Sequence, residues 1–319
     1  MQSFDVFNGD ADGICALVQL RLAAPRESVL VTGVKRDIQL LQQVEPEAGD
    51  EVTVLDISLQ KNASDLHRIL AAGASVFYAD HHQAGDIPSH PNLQTLIDLS
   101  PSTCTSLIID KYLQGQFHLW AITAAFGDNL TSTALKLTAA AALSEHETQQ
   151  LQTLGTLLNY NGYGSDLADL FYAPANLYQA CVQFASPLDF IAERDDVFST
   201  LQDGFETDMA AVMGIKAAYK SSAVGVFELP NETWARRVSG VWGNDLANEY
   251  PDRAHLILTP ANEGHYTVSI RAPLANRSGA NLVASQFATG GGREGAAGIN
   301  ALPASQISDL IRAMEQQYA

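Results

Sequence analysis

The stretch "FNGDADGICALVQL", residues 7–20, places two aspartates among glycines, where one short apolar run ends and another begins. Asp10 and Asp12 stand two positions apart, and like charges this close raise each other's pKa. A solvated turn tolerates such a pair, and an aspartate that follows a strand commonly caps the next helix. The other interpretation is that a cation lies between the two carboxylates. The surrounding sequence distinguishes these interpretations.

Apolar runs and amphipathic segments alternate over the first 130 residues. Strands are predicted at residues 4–7, 29–34, 51–57, 75–80 and 93–99. Helices are predicted at residues 13–24, 36–44, 62–73 and 103–113. This alternation is typical of a parallel sheet that is covered by helices on both faces.

The remainder of the chain indicates a helical connector and a second domain. Ser144 and Glu147 have the spacing of a helix capping box. Residues 159–164 form a Gly/Asn-rich turn motif, residues 166–220 are mostly of helical type, and β-rich runs follow. A chain of 319 residues is long for one core. We expect an N-terminal domain with its connector at residues 1–195 and a smaller C-terminal α/β domain at 205–319.

The formal net charge of −18 is unevenly distributed along the chain. Residues 1–200 contain 9 Lys and Arg against 24 Asp and Glu, whereas residues 201–319 contain 9 against 12. Such acidity opposes the binding of a long polyanion, which depends on many neutralised phosphates. Cations bound within a site can nevertheless make that site attractive to a phosphate. The acidic part is therefore a plausible place for cations, and the near-neutral part for a phosphate held by a few arginines.

Neither a membrane span nor a secretory signal is visible in the sequence. No run of 18 apolar residues occurs, and the initial MQSFDVF lacks a basic and an apolar segment. Cys15, Cys104 and Cys181 are scattered and form no C-x-x-C pair, which predicts reduced thiols instead of disulfides or a zinc site. We expect a cytoplasmic protein with no membrane partner, and a homodimer remains open.

Polar residues collect at the ends of the predicted strands. They are Asp10 and Asp12 after the first strand, Asp56 after the third, Asp80, His81 and His82 after the fourth, and Asp128 in the motif "AFGDN". Functional groups of parallel sheets gather beyond the carboxyl ends of the strands. Each aspartate alone has the plainer interpretation of a helix cap. Together, the carboxylates and imidazoles favour Mn²⁺, Mg²⁺ or Fe²⁺ over zinc.

These motifs resemble a known family. "NGDADG" (8–13), "LDIS" (55–58), "ADHH" (79–82) and "FGDN" (126–129) look, in that order, like the four motifs of the DHH phosphoesterases. "GGGREGAAGIN" (290–300) looks like the glycine-rich signature of the associated DHHA1 domain, and "YTVSIRAP" (266–273) resembles the strand that precedes it. The spacing of the first motif is more like the RecJ exonucleases, and the compact size more like the nanoRNases.

The resemblance implies two metal ions, most simply Mn²⁺, with Mg²⁺ or Fe²⁺ as alternatives. One ion would be bound by Asp10, Asp56 and Asp128, and the other by Asp12, Asp56 and His81. Asp56 would bridge them. Two ions about 3.5–4 Å apart activate a water molecule and stabilise the attacking and leaving oxygens of an in-line displacement. Asp10 and Asp12 would then be tolerated side by side because each faces a different cation.

The same resemblance implies roles for further residues. Asp80 would be a ligand or would orient His81, as carboxylates do for ligating imidazoles, and His82 would face the substrate phosphate. In the C-terminal domain, the substrate would contact Arg271, Gly290, Gly291, Gly292 and Arg293. Tyr160, Tyr163 and Tyr266 are candidates for stacking on a base, although packing is the plainer interpretation.

Two positions depart from the family pattern. Asn8 stands where many members have a histidine, so direct metal ligation there is doubtful and a place near the substrate is the remaining role. Arg293 stands where the glycine-rich motif usually has a histidine. Arginine keeps a phosphate donor, as a permanent and bidentate one. These departures put the choice of substrate in doubt.

The sequence thus predicts a metal-dependent phosphodiesterase that cleaves short single-stranded oligonucleotides or dinucleotides to nucleoside monophosphates. A RecJ-like exonuclease acting on single-stranded DNA is the first alternative. Hydrolysis of a phosphomonoester or of polyphosphate, as in other members of the superfamily, is a second. A nucleotide-binding sensor without catalysis is a third, from another class of protein.

Overall fold

The structure, a computed structural model, describes residues 1–261 and 264–319. The chain divides into two compact units, Met1–Gly204 and Phe205–Ala319. Among the described residues, no helix is both long enough and apolar enough to cross a bilayer.

The first unit is built on a five-stranded parallel sheet with the order β2-β1-β3-β4-β5. Its strands are β1 (Ser3–Phe7), β2 (Val29–Val31), β3 (Glu51–Leu55), β4 (Ser75–Asp80) and β5 (Leu93–Ile97). In this order the direction of winding reverses between β1 and β3, and ligands of open α/β sheets bind at such a point. The loops after β1 and β3 therefore lie where a site is expected.

Nine helices belong to this unit or lead out of it within the described residues. They are α1 (Ala11–Ala23), α2 (Leu59–Ala71), α3 (Thr105–Tyr112), α4 (His118–Gly127), α5 (Thr131–Ala140), α6 (Glu145–Asn161), α7 (Pro174–Cys181), α8 (Pro187–Glu193) and α9 (Asp195–Val212). Helix α9 begins in the first unit and ends in the second. The predicted sheet covered by helices on both faces is confirmed.

Alternation along the strands sends apolar side chains to both faces of the sheet. Val6, Val54 and Tyr78 belong to a buried cluster that also contains Leu66 of α2. On the other side, α1 is buried along almost its whole length, from Ala11 to Arg21. A helix that is buried on every side fits only such a central position, and this fixes the segment that begins after Asp10 and carries Asp12.

The predicted helix at residues 36–44 does not form. The structure has only a short 3₁₀ turn at Leu40–Gln43. Side chains of α2 instead satisfy the backbone here: Asn62 accepts from the Leu41 N–H at 3.3 Å, and Arg68 donates to the carbonyls of Leu41 and Val44 at 3.1 and 2.9 Å. Tertiary hydrogen bonds therefore replace the helical ones that the sequence pattern suggested.

The capping box of α6 is confirmed, and the turn after it starts later than predicted. The Glu147 N–H donates to Ser144 Oγ at 3.2 Å, and the Ser144 N–H donates to the Glu147 carboxylate at 2.8 Å. The predicted turn at 159–164 begins at Gly162, because residues up to Asn161 continue the helix. Asn159 and Asn161 thus project from the last turn of α6.

The second unit contains a six-stranded mixed sheet with the order β10-β11-β9-β8-β7-β6. Its elements are β6 (Ala217–Lys220), β7 (Val224–Glu228), α10 (Thr233–Glu249), β8 (Ala254–Pro260), β9 (His265–Arg271), α11 (Ala280–Ala284), β10 (Gly290–Gly292), β11 (Ala296–Pro303) and α12 (Ile307–Tyr318). Among the pairs described in this second sheet, only β7 and β8 are parallel. The expected α/β character of the C-terminal part is confirmed.

Candidate metal centre

Asp10 begins helix α1 and is held by the backbone of its first turn. Its Oδ1 accepts hydrogen bonds from the N–H groups of Asp12 and Gly13, at 3.0 and 3.2 Å. A side chain on Gly13 would collide with the carbonyl of Asn8, so glycine is required at this close approach. The helix-cap interpretation is thus correct for one oxygen of Asp10, and its Oδ2 remains for another partner.

Asp12 lies against the start of α3. Its two carboxylate oxygens accept from the backbone N–H groups of Thr105 and Ser106, both at 2.7 Å, and the Ser106 hydroxyl donates to the Asp12 carbonyl at 2.8 Å. A helix N-terminus favours a negative charge. The structure therefore fixes the orientation of Asp12 while each oxygen keeps a second lone pair for a cation.

Asp56 follows β3 in a left-handed conformation, with φ at 60°. Its N–H donates to the Ala79 carbonyl of the neighbouring strand at 3.1 Å, and its Oδ1 accepts from the Thr105 hydroxyl at 3.1 Å. Non-glycine residues adopt this conformation uncommonly, and Asp and Asn are among those that tolerate it. The left-handed backbone thus places a buried carboxylate against Thr105, whose N–H donates to Asp12.

His81 Nε2 lies at the centre of three carboxylates. It is 3.4 Å from Asp56 Oδ1, 3.9 Å from Asp12 Oδ2 and 3.9 Å from Asp128 Oδ2. One imidazole and three carboxylates form the donor set that Mn²⁺, Mg²⁺ or Fe²⁺ prefers. An ion bound to His81 Nε2 would therefore have three carboxylates nearby. Asp128 belongs to this group, whereas the family resemblance had placed it with Asp10 and apart from His81.

His82 has a different surrounding from His81. Its Nδ1 is hydrogen-bonded to Asp80 Oδ1 at 2.8 Å, and it lies 3.8 Å from Asp56 Oδ1. Asp56, His81 and His82 could each offer an atom within 4.8 Å of the others, but the bond to Asp80 already occupies Nδ1 of His82. The hydrogen bond that the buried Asp80 carboxylate makes among the described residues is to His82 and not to His81, and its predicted role as a ligand stays a prediction.

Lys35 enters the site beside Asp10, and it was not among the predicted residues. Its Nζ donates to Asp10 Oδ2 at 2.5 Å and to Asn159 Oδ1 at 2.6 Å, and it lies 5.6 Å from the centre of the Tyr163 ring. The second oxygen of Asp10 therefore contacts an ammonium group. The donors around Asp10 do not fit a metal ion while Lys35 holds this position.

Asn8 supports the segment that carries Lys35. Its Nδ2 donates to the Lys35 carbonyl at 3.2 Å, and the Lys35 N–H donates to the Gly162 carbonyl at 2.8 Å. Asn8 Oδ1 is buried and accepts no hydrogen bond from the described residues. The residue that replaces the family histidine thus contacts the backbone of Lys35.

Burial and mutual repulsion dominate the titration of the carboxylates. Burial, followed by the charges of Asp12 and Asp10, holds the pKa of Asp56 well above its ordinary value. Burial and the Asp12 charge raise the pKa of Asp128 to about 6. Asp10 is the exception, because burial opposes its ionisation but the adjacent Lys35 ammonium lowers its pKa overall. The acidic cluster therefore needs positive charge, and Lys35 supplies part of it.

Several solved structures share this fold. A RecJ exonuclease bound to manganese matches with a TM-score of 0.67 and 14% identity, over 99% of this chain and 90% of that chain. The pGpG-specific phosphodiesterase PggH from Vibrio cholerae matches with a TM-score of 0.56 and 14% identity, over 100% and 99% of the two chains. A DHH-domain protein described as a member of a family of ribosomal proteins gives 0.64 and 13%, over 99% and 86%.

This chain has the DHH/DHHA1 phosphoesterase fold. No family model and no curated protein matches its sequence. The fold brings together the residues of the four motifs that resemble those of the DHH phosphoesterases: Asp10 and Asp12, Asp56, His81 with Asp80 and His82, and Asp128. The DHH/DHHA1 resemblance seen in the sequence is confirmed at the level of the fold.

Arg271 of the DHHA1-like sheet is held by its own unit. It lies at the end of β9 and donates to Asn244 Oδ1, the Gly240 carbonyl and Ser269 Oγ at 2.6, 2.8 and 3.0 Å. It is half-buried instead of solvent-facing. The predicted contact with a substrate stays a prediction, and the residue clearly ties β9 to α10.

The glycine run forms an edge strand. Gly290, Gly291 and Gly292 are β10 and pair with Ile299, Gly298 and Ala297, and the Gly290 N–H donates to the Phe287 carbonyl at 2.9 Å. Arg293 is exposed in the turn that follows, where its backbone bonds with Ala296. That the glycine run and Arg293 bind a substrate phosphate stays a prediction.

The tyrosines proposed for base stacking have unequal surroundings. Tyr160 is buried and packs near Phe171, with ring centres 6.5 Å apart, so the packing interpretation is correct there. Tyr163 lies beside Lys35. Tyr266 donates to Glu228 at 2.7 Å.

Sequence reasoning missed Lys35, Asn159 and Thr105. Lys35 follows β2 on the same sheet edge as the aspartates, so the rule that found those aspartates applies to it as well. Asn159 was part of the Gly/Asn-rich motif but had been assigned to a turn. Thr105 gave no signal of its own, because its contribution is a backbone N–H and a hydroxyl.

Proposed function

We propose that this chain is a divalent-metal-dependent phosphodiesterase that cleaves short single-stranded oligonucleotides or dinucleotides to nucleoside monophosphates. The observation that carries the proposal is the group around His81, whose Nε2 lies 3.4–3.9 Å from Asp12, Asp56 and Asp128. The fold, shared with a RecJ exonuclease and a pGpG-specific phosphodiesterase, supports the same reaction class.

Each residue of the centre has a distinct chemical task in this proposal. Asp12, Asp56, His81 and Asp128 would bind the ion. When bound, such an ion polarises a phosphoryl oxygen and lowers the pKa of a coordinated water. Asp80 fixes the proton on Nδ1 of His82 through their 2.8 Å hydrogen bond, as carboxylates do for imidazoles in many sites. The opposite nitrogen of His82 is then the one proposed to face the phosphate.

Charge and chain length favour a short substrate over a long one. The chain carries a net charge of −18, most of it in residues 1–200, so added phosphates would meet repulsion instead of new contacts. The pGpG-specific enzyme matches almost end to end, over 100% of this chain and 99% of its own. A linear dinucleotide is therefore the simplest substrate to propose.

The proposal is tested with Mn²⁺ and 5′-labelled RNA and DNA of two to about 20 nucleotides, a range that exceeds typical single-strand site sizes. We expect Mn²⁺-dependent release of monophosphates, fastest on the shortest strands. The Asp56→Asn variant, purified identically, controls for contaminating nucleases. Preference for long DNA would favour the RecJ-like alternative. Binding of nucleotides without turnover would favour a sensor.

A further inference from the structure

The two halves of the candidate metal centre are not equivalent. Around His81, three carboxylates approach one imidazole nitrogen within 3.4–3.9 Å. Around Asp10, the carboxylate contacts the Lys35 ammonium, whose Nζ lies 2.5 Å from Asp10 Oδ2, beside the Asp56 side chain. Among the described side chains, the His81 half therefore consists of metal-binding donors without a lysine or arginine. The Asp10 half already contains a positive charge, the Lys35 ammonium.

Lys35 is built into this position by several independent contacts. Its Nζ also donates to Asn159 Oδ1 at 2.6 Å, at the end of α6. Its backbone N–H donates to the Gly162 carbonyl, and its carbonyl accepts from Asn8 Nδ2. The backbone contacts fix where the side chain begins, and the bonds to Asp10 and Asn159 fix where its ammonium group ends. The segment after β2 is therefore shaped to deliver the ammonium group to Asp10.

Asn8 and Lys35 lie at the same half of the centre and are hydrogen-bonded to each other. The position of Asn8, where the resembling family commonly has a histidine, is buried and contacts the backbone of Lys35. A neutral amide cannot replace imidazole as a strong ligand, whereas an ammonium group beside Asp10 replaces the charge of a cation. A weak donor and a fixed positive charge therefore occur at the same half of the centre.

We infer that Lys35 substitutes for one of the two metal ions, so that this chain binds a single divalent ion at Asp12, Asp56, His81 and Asp128. The inference rests on the proposed function, because it specifies the charge arrangement of the same centre. It replaces the expectation, drawn from the resemblance, that Asp10 is a metal ligand. Asp10 is instead the residue that positions the Lys35 ammonium.

Mn²⁺ stoichiometry tests the inference without reference to activity. Calorimetry and elemental analysis of the dialysed protein should give one Mn²⁺ per chain. Paramagnetic resonance should show an isolated ion, because two ions about 3.5–4 Å apart are magnetically coupled. The Lys35→Arg variant, which keeps the charge, should also bind one ion. Two tightly bound, coupled ions in the unmodified protein would overturn the inference and leave the proposed phosphodiesterase intact.

Two variants test whether removal of the Lys35 charge allows a second metal ion to bind. Lys35→Met removes the charge and keeps the apolar stem, and the double variant Asn8→His with Lys35→Met restores a donor as well. We expect the double variant to bind a second Mn²⁺ and to show the coupled signal. A single ion in a folded double variant would contradict the inference. If neither the unmodified protein nor any variant bound Mn²⁺, both the inference and the proposed function would fail.

Discussion

Asp80 holds Nδ1 of His82 at 2.8 Å, although the sequence neighbour His81 is the residue that faces the other carboxylates. Adjacent residues that follow one strand therefore have separate tasks. His81 contributes a nitrogen to the group of Asp12, Asp56 and Asp128, and His82 is oriented by a buried carboxylate. We therefore propose that His81 binds the ion and that His82 contacts the reacting phosphate.

Paired substitutions separate these two tasks. His81→Gln should weaken Mn²⁺ binding, because it removes the central nitrogen of the donor set. His82→Gln should leave Mn²⁺ affinity nearly unchanged and lower kcat by about 10²–10⁴-fold, the usual contribution of a positioned acid or base. Calorimetric Mn²⁺ titration and steady-state kinetics on a dinucleotide measure both. Equal loss of Mn²⁺ affinity in the two variants would contradict the division.

The stability of the metal-free protein should depend on pH through Asp128. Its pKa in the folded state is raised to about 6 from 3.8, first by burial and then by Asp12. The folded state thus binds this proton more tightly than the unfolded state. Its contribution to stability is complete below the unfolded pKa and is lost as the pH rises through about 6. We expect Tm without metal to rise when the pH is lowered from about 7 to about 5.

Mn²⁺ should show the opposite dependence, because a ligand carboxylate must lose its proton. With a pKa of about 6, proton competition should weaken the Mn²⁺ affinity about tenfold between pH 7 and pH 5. Asp128→Asn is the matched variant for both measurements. It should reduce the pH response of the metal-free Tm, and an unaltered response would show that other groups cause it.

Substrate length should affect turnover through charge. Because residues 1–200 are strongly acidic, kcat/KM per end should fall as the strand lengthens, and its dependence on salt should be shallow. The measurement is kcat/KM for strands of two to about 20 nucleotides at two salt concentrations. Faster cleavage of the long strands, combined with a steep salt dependence, would reject the preference for short substrates.

Arg293 should contribute to binding a nucleotide without affecting the metal. Its exposed side chain would donate a charge-assisted hydrogen bond worth roughly 1.5–3 kcal/mol. Arg293→Ala should therefore lower kcat/KM on a dinucleotide by about 10- to 100-fold, and much less on a small aryl phosphodiester. Arg312→Ala, which removes another exposed arginine of the same unit, should change neither. An equal loss on both substrates would count against the assignment.

Arg271 differs from Arg293 because its side chain is held within its own unit, where it donates to Asn244, Gly240 and Ser269. We expect Arg271→Ala to lower Tm, since these acceptors lose their donor. A loss of activity in this variant is therefore interpreted only beside its Tm. Arg293→Ala, with an exposed side chain, should leave Tm unchanged.

The sheet and the positions of the acidic residues were predictable because strong local patterns produce them. Apolar strand runs alternate with helices, and the aspartates follow the strands, so the parallel topology alone brings Asp10, Asp56 and Asp80 to one edge. The capping box at Ser144 was predictable for a similar reason. Its two hydrogen bonds join residues three positions apart.

The errors come from contacts between distant parts of the chain. Residues 36–44 have a helical pattern, but Asn62 and Arg68 of α2 bind their backbone and prevent a helix. The position of Lys35 depends on Asp10 and on Asn159, which lies 124 residues further along the chain. The partner of Asp80 depends on how the chain turns after β4, which periodicity does not specify.

Asp56→Asn tests the central claim most directly. Asparagine tolerates the left-handed backbone at this position and keeps an oxygen for the Thr105 hydroxyl. The measurement is Mn²⁺-dependent hydrolysis of a dinucleotide, with the bound Mn²⁺ counted in the same samples. We expect turnover by the unmodified protein, and in the variant a metal-free Tm at least as high, loss of bound Mn²⁺ and a fall in turnover of at least about 10²-fold. Normal turnover with a full complement of Mn²⁺ in folded Asp56→Asn, or no Mn²⁺-dependent hydrolysis by the unmodified protein, would contradict the account.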